Sequence, residues 1–359
     1  MSTKVKKFFL IMLVLLVSVT MAVGCGGDGG AVVDDPENGE GEAPAPEAAS
    51  MELHLNHFMS AMHPLHTNVL EPFAADVLEA TEGRINIIIH PGNALAAPGD
   101  TYDAVVSGVV DMGFVLPAYT AGRFPMAQIL EYPFLFSSAL QANLTAAEMT
   151  PMLREHEFTD TMLLWFGGSD LGHLLMKGNA DELSELRGLQ LRSPGPIYND
   201  VIEEIGAVAV TLPVSDLYDS MDRGIVTGSF MAPSALISFR LIEVTDTVIE
   251  LDLYTTPFIF FMNIDRWNGI APQDQEAIMA LLDAFPEKIG KQYDEEIKHA
   301  MALAEEEGLN IVRFSDEDLA AFHEAVDPLV QGWIAELEAA GKPGQELYEL
   351  VLQYADQYE

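Results

Sequence analysis

Residues 189–231 read LQLRSPGPIYNDVIEEIGAVAVTLPVSDLYDSMDRGIVTGSFM. The apolar run Leu189–Arg192 is expected as a strand, and Ile197–Ile205 has helical spacing and closes at Gly206. Val208–Leu212 is again a strand, Leu217–Met221 a short helix stopped by Gly224, and Ile225–Met231 a third strand. Near-continuous apolar strands joined by helices belong to a parallel sheet covered on both faces. The same rhythm occurs upstream. Met51–His57 alternates as a strand, Pro64 to Thr81 carries a helical stripe (Leu65, Val69, Phe73, Val77, Leu78) closed by Gly83, and Ile85–His90 is a strand ending in Pro91-Gly92-Asn93. Thr101–Val106 then makes a short helix stopped by Gly108, and Asp111–Leu116 a strand. Two α/β units of matching rhythm predict two lobes rather than one large sheet. Beyond the strand Phe258–Ile264 the pattern is helical to the end. Pro272 to Glu307 reads as one helix of about 50 Å, bent at Pro286, long enough to strap two small lobes together.

The 359 residues suit about two domains with ample core, since 49% are hydrophobic. The formal charge of −39 repels phosphate, so nucleic acid is excluded as a partner. One long apolar run exists, at the extreme N-terminus, which excludes a polytopic membrane protein.

That run follows Lys4, Lys6 and Lys7, extends from Phe8 to Val17, and gives way to Ala22-Val23-Gly24-Cys25. A basic start, a short apolar segment and small residues form an export signal over 1–24. The chain's single cysteine directly after a small residue resembles the bacterial lipobox, so Cys25 is the expected lipidation site. Residues 25–50 are acidic, rich in Gly, Pro and Ala, and free of basic residues. Such a segment cannot bury enough apolar surface to offset its chain entropy and is expected as a tether averaging about 27 Å end to end. The expected location is therefore extracytoplasmic, on the cell membrane through a lipid anchor, and in the periplasm if the cell is Gram-negative.

From Met51 onward the order of features resembles the substrate-binding proteins of tripartite ATP-independent periplasmic (TRAP) transporters, of the dicarboxylate-binding DctP type. The first-lobe markers are Thr81-Glu82-Gly83-Arg84, Ser107-Gly108-Val109-Val110-Asp111-Met112, Pro125 and Tyr132-Pro133-Phe134-Leu135-Phe136. The second-lobe markers are Leu186-Arg187-Gly188-Leu189-Gln190-Leu191-Arg192, Ile205-Gly206-Ala207 and Leu217-Tyr218-Asp219-Ser220-Met221-Asp222-Arg223-Gly224. The resemblance implies a two-lobed α/β periplasmic-binding-protein fold with hinge strands and a long helix spanning both lobes. Lobe I would comprise 51–171 and 255–290, and lobe II 172–254 and 291–359 with the spanning and C-terminal helices. It also implies a receptor, not an enzyme, that binds a small organic acid and delivers it to TRAP membrane subunits. A binding protein for an ABC importer, or the ligand-sensing partner of a signalling receptor, is the alternative on the same fold.

The resemblance implies that an arginine on a second-lobe strand clamps the ligand carboxylate, and Arg192 occupies that place. The chemistry suits it, because a guanidinium offers a rigid fork matching two carboxylate oxygens and keeps its proton. Left to spacing alone, Arg192 could equally pair with one of the many acids near a lobe surface. At 4 Å and an effective dielectric near 20 it would contribute about 4 kcal/mol of attraction. Surface acids beyond the ~8 Å screening length are largely hidden by salt. Strand ends, where α/β sheets place ligands, supply further candidates: His57 and Phe58, Tyr119, His173, and Ser229, Phe230 and Met231. Phe230 and Met231 serve equally as core. Aromatic and thioether side chains with a few polar donors suit an acid with an apolar body.

No cofactor or metal is expected. His54 and His57 lie three apart on a strand and face opposite sides, His63 and His66 open a helix elsewhere, and no cysteine or paired acid completes a zinc set. Gly167-Gly168-Ser169-Asp170 lacks the spacing of a nucleophile elbow, and neither a P-loop nor G-x-G-x-x-G occurs.

Overall fold

Two β-sheets organise the chain, and the strands that pass between them matter most for function. The computed structural model describes residues 51–359; the expected leader, Cys25 and the acidic tether lie outside the described residues. The strands are β1 (Met51–His57), β2 (Ile85–His90), β3 (Met112–Val115), β4 (Thr161–Leu171), β5 (His173–Met176), β6 (Gln190–Ser193), β7 (Val208–Thr211), β8 (Gly228–Met231), β9 (Thr247–Glu250), β10 (Thr255–Asn263) and β11 (Asn310–Arg313). Lobe I is built on the sheet β2-β1-β3-β10-β4, and lobe II on β11-β9-β5-β8-β6-β7.

Each expected α/β unit forms three parallel strands in the same order, β2-β1-β3 and β7-β6-β8. Register equates the middle strands: Leu55 lies opposite Met112 as Leu191 lies opposite Gly228, so Asn56 and Arg192 hold matching places. The sheets are mixed rather than wholly parallel, because the passing strands join them antiparallel.

β4 runs into β5 through Gly172, and β9 into β10 through residues 251–254. These two crossings are bonded to each other: Gly172 N–H donates to the Tyr254 carbonyl at 2.7 Å and Leu253 N–H to the Gly172 carbonyl at 2.9 Å. A Cβ on Gly172 would lie 2.8 Å from Tyr254 Cζ, so the tyrosine ring can press on the hinge only where no side chain stands.

The helices are α1 (Glu71–Ala80), α2 (Thr101–Val106), α3 (Ala139–His156), α4 (Pro196–Glu204), α5 (Leu217–Asp222), α6 (Ala235–Ser238), α7 (Ile264–Asn268), α8 (Pro272–Leu282), α9 (Phe285–Glu306), α10 (Asp316–Ala339) and α11 (Gly344–Gln357). The single helix expected over 272–307 is two, α8 and α9, broken at Asp283-Ala284. Pro286 has no N–H to donate and its ring collides with the carbonyl four residues back, so it sits instead at the start of a new helix. α9 still spans about 33 Å and packs on α3 and β4 of lobe I and on α6 and β11 of lobe II.

The other expected long helix, 64–81, begins as a π-helix over Leu65–Leu70 before continuing as α1. α10 bridges the lobes on a second side. Its Trp333 ring lies tilted against Tyr132 at 5.0 Å and donates to Asp200 Oδ2 on α4 at 2.7 Å.

Candidate ligand-binding site

The lobes meet over a partly open cavity in which the centre of a water-sized sphere can occupy about 40 Å³. Lobe I contributes Phe58, His63, Leu116, Ser169, Thr256 and Phe258. Lobe II contributes Arg192, Pro194, Val214, Phe230, Met231, Ser234 and Phe239, while Tyr254 from the hinge and Tyr293 from α9 form the inner end. The walls are largely aromatic: Phe58 stacks parallel to Phe258 at 6.4 Å, and His63 meets Phe239 edge-on across the lobes at 5.4 Å.

Arg192 is 3% exposed. Its Nε donates to the Leu212 carbonyl at 2.8 Å, which pins the fork, but its Nη2 is buried with no hydrogen-bond partner among the described residues. A buried guanidinium N–H left without an acceptor is costly unless an anion arrives. Among the lining residues Arg192 is the one full cation, and no carboxylate lines the cavity. His63 is held neutral: burial, aided by His66, pushes its pKa down to about 4. Its Nδ1 accepts from Leu65 N–H at 3.2 Å, leaving Nε2 to carry the proton.

Close contacts across the lobes shape the site. The Tyr119 phenol lies beside Arg192 and accepts from Val214 N–H at 3.2 Å; burial raises its pKa and the arginine opposes that rise. A Cβ on Gly195 would meet Ala118 Cβ at 2.9 Å, so the lobes touch where only glycine fits. Asp170, at the end of β4, accepts from Ser234 N–H at 3.0 Å and Ser234 Oγ at 2.7 Å. Burial pushes its pKa up to about 7 against those bonds.

The structure gathers Arg192, Phe58, Phe230 and Met231 at this cavity and sets Tyr119 directly behind Arg192, in the adjoining cleft lined also by Pro98, Ala118, Pro194 and Pro213. Three further expected residues line neither the cavity nor that cleft. His57 is fully buried and spends Nε2 on His66 Nδ1 at 2.9 Å, whose Nε2 in turn lies 3.3 Å from Glu71. The π-helical turn folds His66 back onto the strand end, so His57 and His66 meet although the sequence separates them. His57's pKa is lowered to about 3 by burial and by His66 and His63. His173 faces the hinge instead, its Nδ1 3.4 Å from Asp252 N–H, in a separate cavity with Glu250 and Arg313. Burial lowers its pKa. Ser229 is fully buried and gives its hydroxyl to the Phe230 carbonyl at 3.0 Å.

Sequence reasoning missed Ser169, Ser234, Thr256, Tyr254 and Phe239. For Ser169 a signal existed: the Gly167-Gly168-Ser169-Asp170 run interrupts an apolar strand with polar residues. Set aside as a failed nucleophile elbow, it supplies a cavity hydroxyl and the carboxyl that holds Ser234.

Residues 55–336 match the profile of DctP, the bacterial extracellular solute-binding protein family 7. The chain belongs to that family. A TRAP solute-binding protein specific for aromatic acids, from an unidentified marine microbe and solved with metahydroxyphenylacetate, has a similar fold. The TM-score is 0.81 at 25% identity, over 86% of this chain and 100% of that one. A TRAP periplasmic solute-binding protein of Desulfovibrio salexigens gives 0.76 at 26% identity over 87% and 97%. The outer membrane transporter protein TsaT of Comamonas testosteroni is 24% identical over 312 residues, 84% of this chain and 91% of its own length. The protein is thus a two-lobed TRAP-type solute-binding protein and not an enzyme.

Proposed function

We propose that this protein is an extracytoplasmic receptor that closes its lobes over a small aromatic monocarboxylate and presents it to TRAP membrane subunits. Its carboxylate would sit on Arg192, its ring among Phe58, Phe239 and Phe258, and the mature chain would be anchored through a lipid on Cys25. One observation carries this reading: a buried guanidinium with an unpartnered Nη2 stands in an interlobe cavity walled by aromatic rings. A second carboxylate would find no second cation, because His63 stays neutral above about pH 4, so a dicarboxylate would bury an unpaired charge. Ser169, Ser234 and the His63 Nε2–H offer hydrogen bonds to a ring substituent. The 25%-identical marine receptor specific for aromatic acids points the same way.

Calorimetry with benzoate, 3-hydroxybenzoate and succinate tests it, on the wild type and on Arg192→Ala. Either benzoate should bind and succinate should not, and Arg192→Ala should weaken the binding by about 100-fold. Succinate binding in preference to both benzoates, or undiminished binding by the variant, would overturn the proposal.

A further inference from the structure

Glu131 ends the 3₁₀ turn Ala127–Glu131 of lobe I and is 1% exposed. Its Oε2 accepts from Gln128 Nε2 at 3.1 Å, while its Oε1 is buried with no partner among the described residues. The groups that face it come from every side. Arg192 on β6 acts on it electrostatically, yet the two form no ion pair. Tyr198 on α4 and Tyr254 at the hinge feel both charges, and burial keeps both phenols neutral. Tyr132 adjoins it, with Glu336 of α10 beyond, and Tyr119 flanks Arg192. Glu157 binds the far end of the turn through Met126 and Ala127 N–H at 2.8 and 2.9 Å.

A buried carboxyl with one bare oxygen therefore stands near a buried guanidinium with one bare nitrogen. If Glu131 were ionised, the pair would be locally neutral and would offer an incoming anion little attraction. Two carboxylates around one guanidinium in a dry site cannot both keep their charge cheaply. We propose that the closed receptor holds an organic monoanion on Arg192 and a proton on Glu131, so that each closure takes one proton from solvent. This rests on Arg192 being the carboxylate clamp. The anion is chemically unchanged; the Glu131 carboxylate becomes the neutral acid and returns its proton on release.

The hinge supplies the switch. α4 of lobe II packs on the turn that carries Glu131, so parting the lobes admits water and returns the carboxyl toward its ordinary range. In the closed form burial lifts its pKa from 4.5 to about 8, with Gln128 and Arg192 opposing the rise. Within that window the open form is ionised and the closed form protonated. Affinity should then fall by up to about tenfold per unit rise in pH, and the dependence should vanish at lower pH. His63 stays neutral throughout most of this range.

The experiment is calorimetry with benzoate at pH 6, 7 and 8 in buffers of different ionisation heat, on the full chain and on Glu131→Gln and Asp170→Asn. Wild type should take up a substantial fraction of a proton at pH 7. Glu131→Gln, which mimics the protonated acid, should still bind, with proton uptake cut to the smaller share that Asp170 supplies and a shallower pH dependence; Asp170→Asn should lose only that smaller share. Wild-type binding without proton uptake, uptake undiminished in Glu131→Gln, or uptake lost only in Asp170→Asn would overturn the proposal. Should Glu131→Gln fail to fold, the wild-type uptake and pH slope decide it. If neither benzoate nor any other organic acid gives heat, the receptor reading falls with it, whereas binding without protons sinks this inference alone.

Discussion

Asn56 and Arg192 occupy matching places on the middle strands of the two lobes, and both are buried polar residues in apolar sheets. Asn56 is fully employed within its own lobe. Its Nδ2 donates to the Ala96 carbonyl at 3.1 Å and Thr101 Oγ1 at 3.0 Å, and its Oδ1 accepts from Leu95 N–H at 3.1 Å. Beside it His57, His66 and Glu71 form a chain that ends at the surface, though His57 Nδ1 is itself buried without a partner among the described residues and opens on no ligand cavity. Arg192, which lines the interlobe cavity, has one anchoring bond and a buried Nη2 without a partner among the described residues. A buried polar group with its partners in place stabilises a lobe; one with a partner missing is prepared for something that comes from outside.

The sharpest way to break that comparison is to exchange the two effects. Arg192→Ala should weaken aromatic acid binding by about 100-fold, as expected for removing one side of a buried charge pair, while the ligand-free melting temperature stays close to wild type. His57→Ala should do the reverse, costing about 2 kcal/mol of stability by orphaning His66 with affinity nearly unchanged. Binding calorimetry and chemical denaturation on both variants check this. Loss of affinity in His57→Ala equal to that in Arg192→Ala would erase the distinction.

A second prediction concerns acid. His57 and His63 hold pKa values of about 3 and about 4 against an ordinary 6.5. Above pH 6.5 neither folded nor unfolded chain carries these protons, and stability is full. Below it the unfolded chain takes protons that the fold refuses, so stability falls by up to about 1.4 kcal/mol per pH unit for each histidine until the folded pKa is reached. Buried Glu131, Glu157 and Asp170, whose pKa values are raised, contribute slopes of opposite sign over the same range, so the histidine contribution is read as a difference. Between pH 7.5 and 4.5, acidification should cost His63→Gln less stability than it costs the wild type, as paired denaturation curves measure.

At the cleft mouth, Gly195→Ala places a methyl group against Ala118 and should weaken binding by about 10-fold through incomplete closure, an overpacking cost. Titrations of the variant with benzoate measure it; unchanged affinity would mean that the lobes need not touch there. The smallest effect is expected from Tyr119→Phe, which leaves Val214 N–H without its acceptor and should cost about 1 kcal/mol, roughly fivefold in affinity.

Much of the fold was legible because strands and helices announce themselves through local periodicity. The two α/β units, their glycine stops at Gly83, Gly108, Gly206 and Gly224, and the position of Arg192 on its strand all follow from neighbours in sequence. The break at Asp283-Ala284 was half legible: Pro286 signalled a disturbance, but whether a proline bends a helix or restarts one depends on what each segment packs against. The histidines were misplaced, since strand alternation describes where His57 points and says nothing about a π-helical turn returning His66 to it.

The candidate site was legible only where a charged or aromatic residue interrupts a strand end. Ser234, Tyr254, Thr256 and Phe239 carry no such local mark, being ordinary residues that hinge geometry brings together from distant segments. Nor could spacing distinguish Phe230, which lines the cavity, from Ser229, which bonds the backbone under it.

By itself the sequence determined the two-unit α/β architecture and the arginine at the end of a second-lobe strand, since both are set by patterns a few residues long. Tertiary structure alone decided which buried polar groups were left without partners. Satisfaction of a hydrogen bond is a property of atoms meeting in space, and the groups that surround Arg192 and Glu131 come from both lobes.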